Sequence, residues 1–152
     1  MPVSPTEIES AVAPLLSADE DQLYAELGIR ARALALDPAV AGEFDPHVQY
    51  SEAEMGVLDD VRAFGQRLFR RWNRELNGLI CGADPDDAAE RKKLADTIGL
   101  GETAVAAFVA TLIVSSLGLA PAIAAVVAAI VVKRFLRPTL EELCVVWGES
   151  LI

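Results

Sequence analysis

The sequence predicts an all-α fold, a compact bundle of six or seven helices around a central apolar helical hairpin at about residues 102–136. Three observations carry this expectation. Helix-capping signatures recur along the chain. Apolar residues between them repeat at helical spacing. An uncharged run of thirty residues, Thr103 to Val132, lies between Glu102 and Lys133 in a chain that is otherwise charged and amphipathic.

The elements follow in order. Ser4-Pro5-Thr6-Glu7 offers a capping Ser, Pro at the first helical position and Glu three residues after the cap, so a short helix starts here with Ile8, Val12, Leu15 and Leu16 on one side. Ser17-Ala18-Asp19-Glu20 repeats the pattern and opens a helix to about residue 36, with Leu23, Tyr24, Leu27, Ala31 and Leu34 as its stripe. Asp37-Pro38 stops it, because a residue before proline avoids the helical region. Residues 37–50 read as a loop with one short helical turn. Ser51-Glu52-Ala53-Glu54 is a third capping box, starting the longest helix, roughly 52–81, with Leu58, Val61, Gly65, Leu68, Trp72, Leu76 and Leu79 inward and Gly82 as the stop. Asp84-Pro85-Asp86-Asp87 caps a helix to about Ile98 and sets acid at the positive end of its dipole. The apolar run reads as two helices, about 102–117 and 121–136, turned by Gly118 and Pro121. A last helix at 139–149 carries Leu140, Leu143, Cys144 and Trp147 at i, i+3, i+4 and i+7.

Length bounds the rest. A chain of 152 residues is expected to form a single helical domain, 1–152, large enough for a real core. An apolar fraction of 53% and a mean hydropathy of +0.33 exceed those of an ordinary soluble protein and fall short of a polytopic membrane protein. A net charge of −10 argues against nucleic acid, whose affinity comes mostly from Lys and Arg neutralising phosphates. Met1-Pro2-Val3-Ser4-Pro5 has neither the basic nor the apolar part of a secretory signal. Cys81 and Cys144 lack partners at metal spacing, and two buried thiols in a reducing cytoplasm are expected rather than a disulfide. Abundant Ala and an excess of Arg over Lys point to a bacterial, GC-rich origin.

Two places can hide the apolar run: a protein core or a bilayer. Each arm of about fifteen residues reaches roughly 22 Å at 1.5 Å per residue. A hydrocarbon core about 30 Å thick needs roughly 20 residues. The other helices each have one apolar stripe that needs covering, so a buried hairpin satisfies both sides. The alternative is a membrane-active protein whose hairpin 103–132 inserts, with Phe108, Leu112, Leu117, Ile123, Val127 and Ile130 meeting lipid and Lys133, Arg134 and Arg137 meeting an anionic surface. Pore-forming colicin domains and Bcl-2-like proteins are similar in that general architecture alone; no motif of either is present.

No catalytic, cofactor or metal motif stands out. His47 is the only histidine and has no nucleophile to identify it as a partner. Asp84, Asp86, Asp87 and Glu90 are explained by the helix dipole. Gly99-Leu100-Gly101 lacks the third glycine and the strand of a dinucleotide site. What remains is a concentration of Arg62, Arg67, Arg70, Arg71 and Arg74 with no acid between Val61 and Asn73. It reads either as a surface for an acidic partner or as an electrostatic seam with Glu7, Glu9, Asp19, Glu20 and Asp21. The expectation is therefore a non-enzyme without cofactor or small-molecule substrate: a cytoplasmic accessory or regulatory subunit that docks on a protein partner or self-associates. Arg67, Arg70, Arg71 and Arg74 are its candidate contact residues, with Trp147, read first as a core anchor, as a further one if its helix faces a partner.

Overall fold

The computed structural model describes residues 5–46, 48, 50, 51, 53, 56–82 and 88–151. Among them are seven α-helices and no strand: α1 (Pro5–Leu16), α2 (Glu20–Leu36), α3 (Leu58–Cys81), α4 (Ala88–Ile98), α5 (Glu102–Leu112), α6 (Pro121–Phe135) and α7 (Leu140–Ser150). A 3-10 turn, Pro38–Gly42, follows α2, and a π-helical turn, Ile113–Leu117, prolongs α5.

Local chemistry explains most of the boundaries. The cap of α2 is Asp19, two residues later than Ser17: its carboxylate accepts from the Gln22 amide at 2.8 Å while the Gln22 side chain accepts from the Asp19 amide at 3.0 Å. This reciprocal pair satisfies two donors that the helix leaves orphaned. Asp37 ends α2 and its carboxylate then accepts from Ala39, starting the 3-10 turn. α3 begins at Leu58, six residues later than expected, after Gly56 at φ +87° breaks the chain direction. Glu52 and Glu54 of the expected capping box lie outside the described residues, as do Asp84, Asp86 and Asp87 of the next one. Gly118, at φ +69°, takes the left-handed turn between α5 and α6, and Pro121 occupies the first turn of α6.

α6 is the centre of the bundle. Every residue from Ala122 to Val132 is buried, and α6 packs against α1, α2, α5, α7 and the 3-10 turn. The hairpin is thus a core element, though its two arms differ. α5 buries Val105, Ala106, Ala107, Val109, Ala110 and Leu112 but leaves Thr111 exposed and Phe108 half-buried. No described helix is long and apolar enough to cross a membrane.

The closest helix pair is α2 with α3. A methyl group added to Gly65 would sit 1.9 Å from the Tyr24 carbonyl oxygen, and one added to Gly28 would sit 2.2 Å from that of Val61. Two glycines therefore let these backbones touch. The inward stripe of α3 is rotated from the expected one: Val61, Gly65, Leu76 and Leu79 are buried, but Phe69 and Asn73 replace Leu68 and Trp72, and Leu58 is 48% exposed. Asn73 belongs inside because its Oδ1 accepts from the Trp147 indole at 2.6 Å.

Two connections between distant segments lie outside the sequence reading. Cys81 and Cys144 form a disulfide, their Cα atoms 5.6 Å apart, joining the end of α3 to α7; the expectation of free thiols is corrected. Spacing along the chain could not reveal that α3 and α7 lie side by side. Arg30 of α2 is 2% exposed. Its guanidinium donates to the carbonyls of Phe44 at 2.8 Å and Ala122 at 3.0 Å and pairs with Glu26 at 2.8 Å, so a charge is held inside by fixed acceptors. It ties the loop after α2 to the first turn of α6.

Candidate functional site

α3 positions the candidate surface. Its inner face faces α2, so the residues between the stripe positions point outward, and Arg67, Arg70, Arg71 and Arg74 are all exposed. Arg62, one turn earlier, behaves differently: it pairs with Asp59 at 3.3 Å and reaches Asp21 of α2 at 3.8 Å. Among the described residues the seam with the acids of α2 is carried by Arg62. Among the described residues no ion pair involves Arg67, Arg70, Arg71 or Arg74. Arg67 lies over the Phe64 ring, 5.9 Å from its centroid.

The other predicted site residues are redistributed. Trp147 is removed from the contact surface: it is fully buried, stacked on Phe135 with centroids 4.8 Å apart, and bonded to Asn73. Its place is that of a core anchor, and the alternative of a partner contact is corrected. Of the proposed lipid-facing residues, Leu112, Ile123, Val127 and Ile130 are buried in the core, and Phe108 and Leu117 are half-buried against it. The cationic trio after the hairpin is split. Lys133 donates to the Leu16 carbonyl at 3.1 Å, neutralising the end of α1, and Arg134 turns inward to the Tyr24 hydroxyl at 3.0 Å. Arg137 is exposed and bonds the Leu136 carbonyl. His47 lies outside the described residues, and no group of acids, His and Cys among the described residues could hold a metal.

Beside the Arg face lies a feature that the sequence did not announce. Tyr24, Gln66, Phe69, Arg70, Asn73, Arg134 and Ser150 line an open cleft of about 330 Å³. Its floor is aromatic. Tyr24 meets Phe69 edge-on at 6.0 Å, and the Arg134 guanidinium lies 5.7 Å from the Phe69 centroid and 5.0 Å from that of Phe135. Burial pushes the Tyr24 hydroxyl above the usual tyrosine range; the Arg134 charge and hydrogen bond pull it down, and Glu20 and Asp21 push it up. The hydroxyl stays neutral and holds Arg134 in place. The signal for this cleft is faint in the sequence: Gln66, Arg70 and Asn73 follow at i, i+4 and i+7, but their partners on α2, α6 and α7 are remote in the chain. A wider depression at the start of α7 mixes Arg137 with Glu141 and Glu142 and converges on no single chemistry.

No known protein family, curated protein or solved structure matches the chain.

Proposed function

We propose that this chain is a non-enzymatic helical interaction protein, an accessory or regulatory subunit whose α3 face docks on an acidic segment of a larger protein. The observation that carries this reading is the set of exposed guanidiniums on Arg67, Arg70, Arg71 and Arg74, without an ion pair among the described residues in a chain of net charge −10. A protein with so many carboxylates can neutralise four arginines internally, as it does with Arg30 and Arg62. Arginines kept apart from them are available for bidentate contact with another molecule's carboxylates. Self-association through the acidic surface of a second copy is the other outcome this chemistry allows.

Insertion of the hairpin is the weaker reading. The apolar residues it would offer to lipid cover one another in the core, and two of the three cations after the hairpin turn back to Leu16 and Tyr24 of the bundle. The disulfide also moves the proposed working environment away from a reducing cytoplasm, toward one oxidising enough to keep Cys81 and Cys144 joined.

The test compares wild-type protein with the Arg67→Glu/Arg71→Glu/Arg74→Glu variant in affinity capture from its native extract and in sedimentation at rising concentration. The expected outcome is loss of captured partner, or of self-association, with an unchanged circular-dichroism melt. Capture and sedimentation that survive the triple reversal would remove α3 as the docking face.

A further inference from the structure

The cleft between α2, α3, α6 and α7 has a chemistry distinct from the open Arg face. Among the described residues its lining contains two guanidiniums, two carboxamides, a phenol and a serine, and no carboxylate. The polar groups are largely donors. Arg134 is fixed by three partners, the Tyr24 hydroxyl and the rings of Phe69 and Phe135, so its bond to Tyr24 uses Nη1 and leaves the rest of the fork for a ligand. Asn73 spends its oxygen on Trp147, which orients the amide and leaves its NH2 as a donor. Arg70 at the rim and Gln66 one turn away have no hydrogen-bond or ion-pair partner among the described residues. A guanidinium held by three partners, sharing one cleft with an exposed second guanidinium and an aromatic floor, lowers the ordering cost of binding an oxyanion.

We propose that this cleft is a binding site for a single phosphate group, held between Arg134 and Arg70 with Gln66 and Asn73 donating to its remaining oxygens. Phosphate suits the lining better than a carboxylate, because a tetrahedral dianion spreads more acceptor oxygens toward donors arriving from both α3 and α6 than the two oxygens of a planar carboxylate can. The cleft volume of about 330 Å³ lies at the small end of ligand sites and has room for a phosphate group or a small phosphomonoester. Glu20 and Asp21 act on Tyr24 from outside the lining and set an electrostatic bias against the ligand that the two arginines must exceed. The site does not rest on the docking reading. Arg70 belongs to both surfaces, but Arg67, Arg71 and Arg74, whose reversal tests docking, do not line the cleft.

The same phosphate chemistry has two sources, a soluble phosphate and a lipid headgroup, and the experiment separates them. Oxidised full-length protein is titrated with inorganic phosphate at low ionic strength over a chloride background, by calorimetry and phosphorus NMR. In parallel it is floated with phosphatidylcholine vesicles that contain or lack phosphatidic acid. One saturable site is expected. Arg70→Gln should weaken it by about tenfold or more, and Arg134→Lys, which keeps the charge but loses the fork, should weaken it comparably. Arg71→Gln, on the same helix but outside the cleft, should leave it unchanged. Arg70 is exposed, so its variant keeps the test valid if the Arg134 variant is destabilised. Flotation with phosphatidic acid that soluble phosphate does not displace would name the headgroup as the source; saturable soluble binding would name free phosphate or a phosphomonoester. Absence of saturable binding in both arms would overturn the site. So would an Arg71→Gln effect as large as that of Arg70→Gln, since that would mean diffuse attraction to the whole face.

Discussion

α6 and α3 meet opposite demands within one bundle. α6 carries no charge from Pro121 to Val132 and is buried all round, while α3 carries five arginines and is buried along one stripe. α6 is specified by exclusion: nothing on it can face water, so its neighbours arrange themselves about it. α3 is specified by contrast between its faces, and the contrast leaves an outward side free to vary. Stability is concentrated in the first helix and the capacity for contact in the second. A substitution should therefore act very differently according to which helix receives it.

The harshest way to probe that division is a charge on α6. Ala125 is fully buried, and Ala125→Asp should cost about 5 kcal/mol or more, because an unpaired carboxylate would be left in the core. Urea denaturation would record this as collapse of the folded state; a variant as stable as wild type would mean that α6 is not central. Next in size is the link between α3 and α7. Cys81→Ser/Cys144→Ser should lower stability by about 4 kcal/mol, the loop-closure value for cysteines 63 residues apart, read from the urea midpoints of the oxidised protein and the variant.

The comparison sharpens within α3 itself. Gly65→Ala drives a methyl into the Tyr24 carbonyl and should destabilise by about 1–3 kcal/mol. Gly78→Ala on the same helix meets nothing within 4 Å and should stabilise by about 1 kcal/mol. Thermal melts of the two variants should move in opposite directions. Tyr24 gives a smaller, pH-dependent effect. Its folded-state pKa is raised, so the unfolded chain releases the proton first. The resulting stability is present below the ordinary tyrosine value of about 10 and is lost as pH rises beyond it. The slope of stability against pH above that value should be shallower in Tyr24→Phe. The smallest effect is on the outer face: Arg67→Glu, Arg71→Glu and Arg74→Glu should each shift stability by less than about 0.5 kcal/mol, measured by the same melts.

The legible parts of the fold were those set by local rules. A charge-free run of thirty residues admits few destinations, and Gly118 with Pro121 can hardly do other than turn it. Thr139 capping α7 through the Glu142 amide and Asp37 closing α2 are equally local. The inward stripe of α3 was misread by one position in its middle because apolarity alone favours Leu68 and Trp72. The structure chooses Phe69 for its contact with Tyr24 and Asn73 for its bond to Trp147, partners 45 and 74 residues away. Arg30 falls on the α2 stripe between Leu27 and Ala33, which was a signal, but its carbonyl acceptors belong to other segments. The candidate site divides the same way. The Arg face was visible as a run without acids, whereas the cleft exists only because α2, α3, α6 and α7 converge.

The Cys81–Cys144 bond encloses α4, α5 and α6 in one covalent ring, with the apolar hairpin inside it. Both ends of the hairpin are consequently tethered to the same point. A protease that cuts once at the Gly118 turn leaves a single molecule until a reductant opens the ring, so nicking and release become separate events. Movement of α5 and α6 away from the bundle is limited to what the chain on either side of them can span.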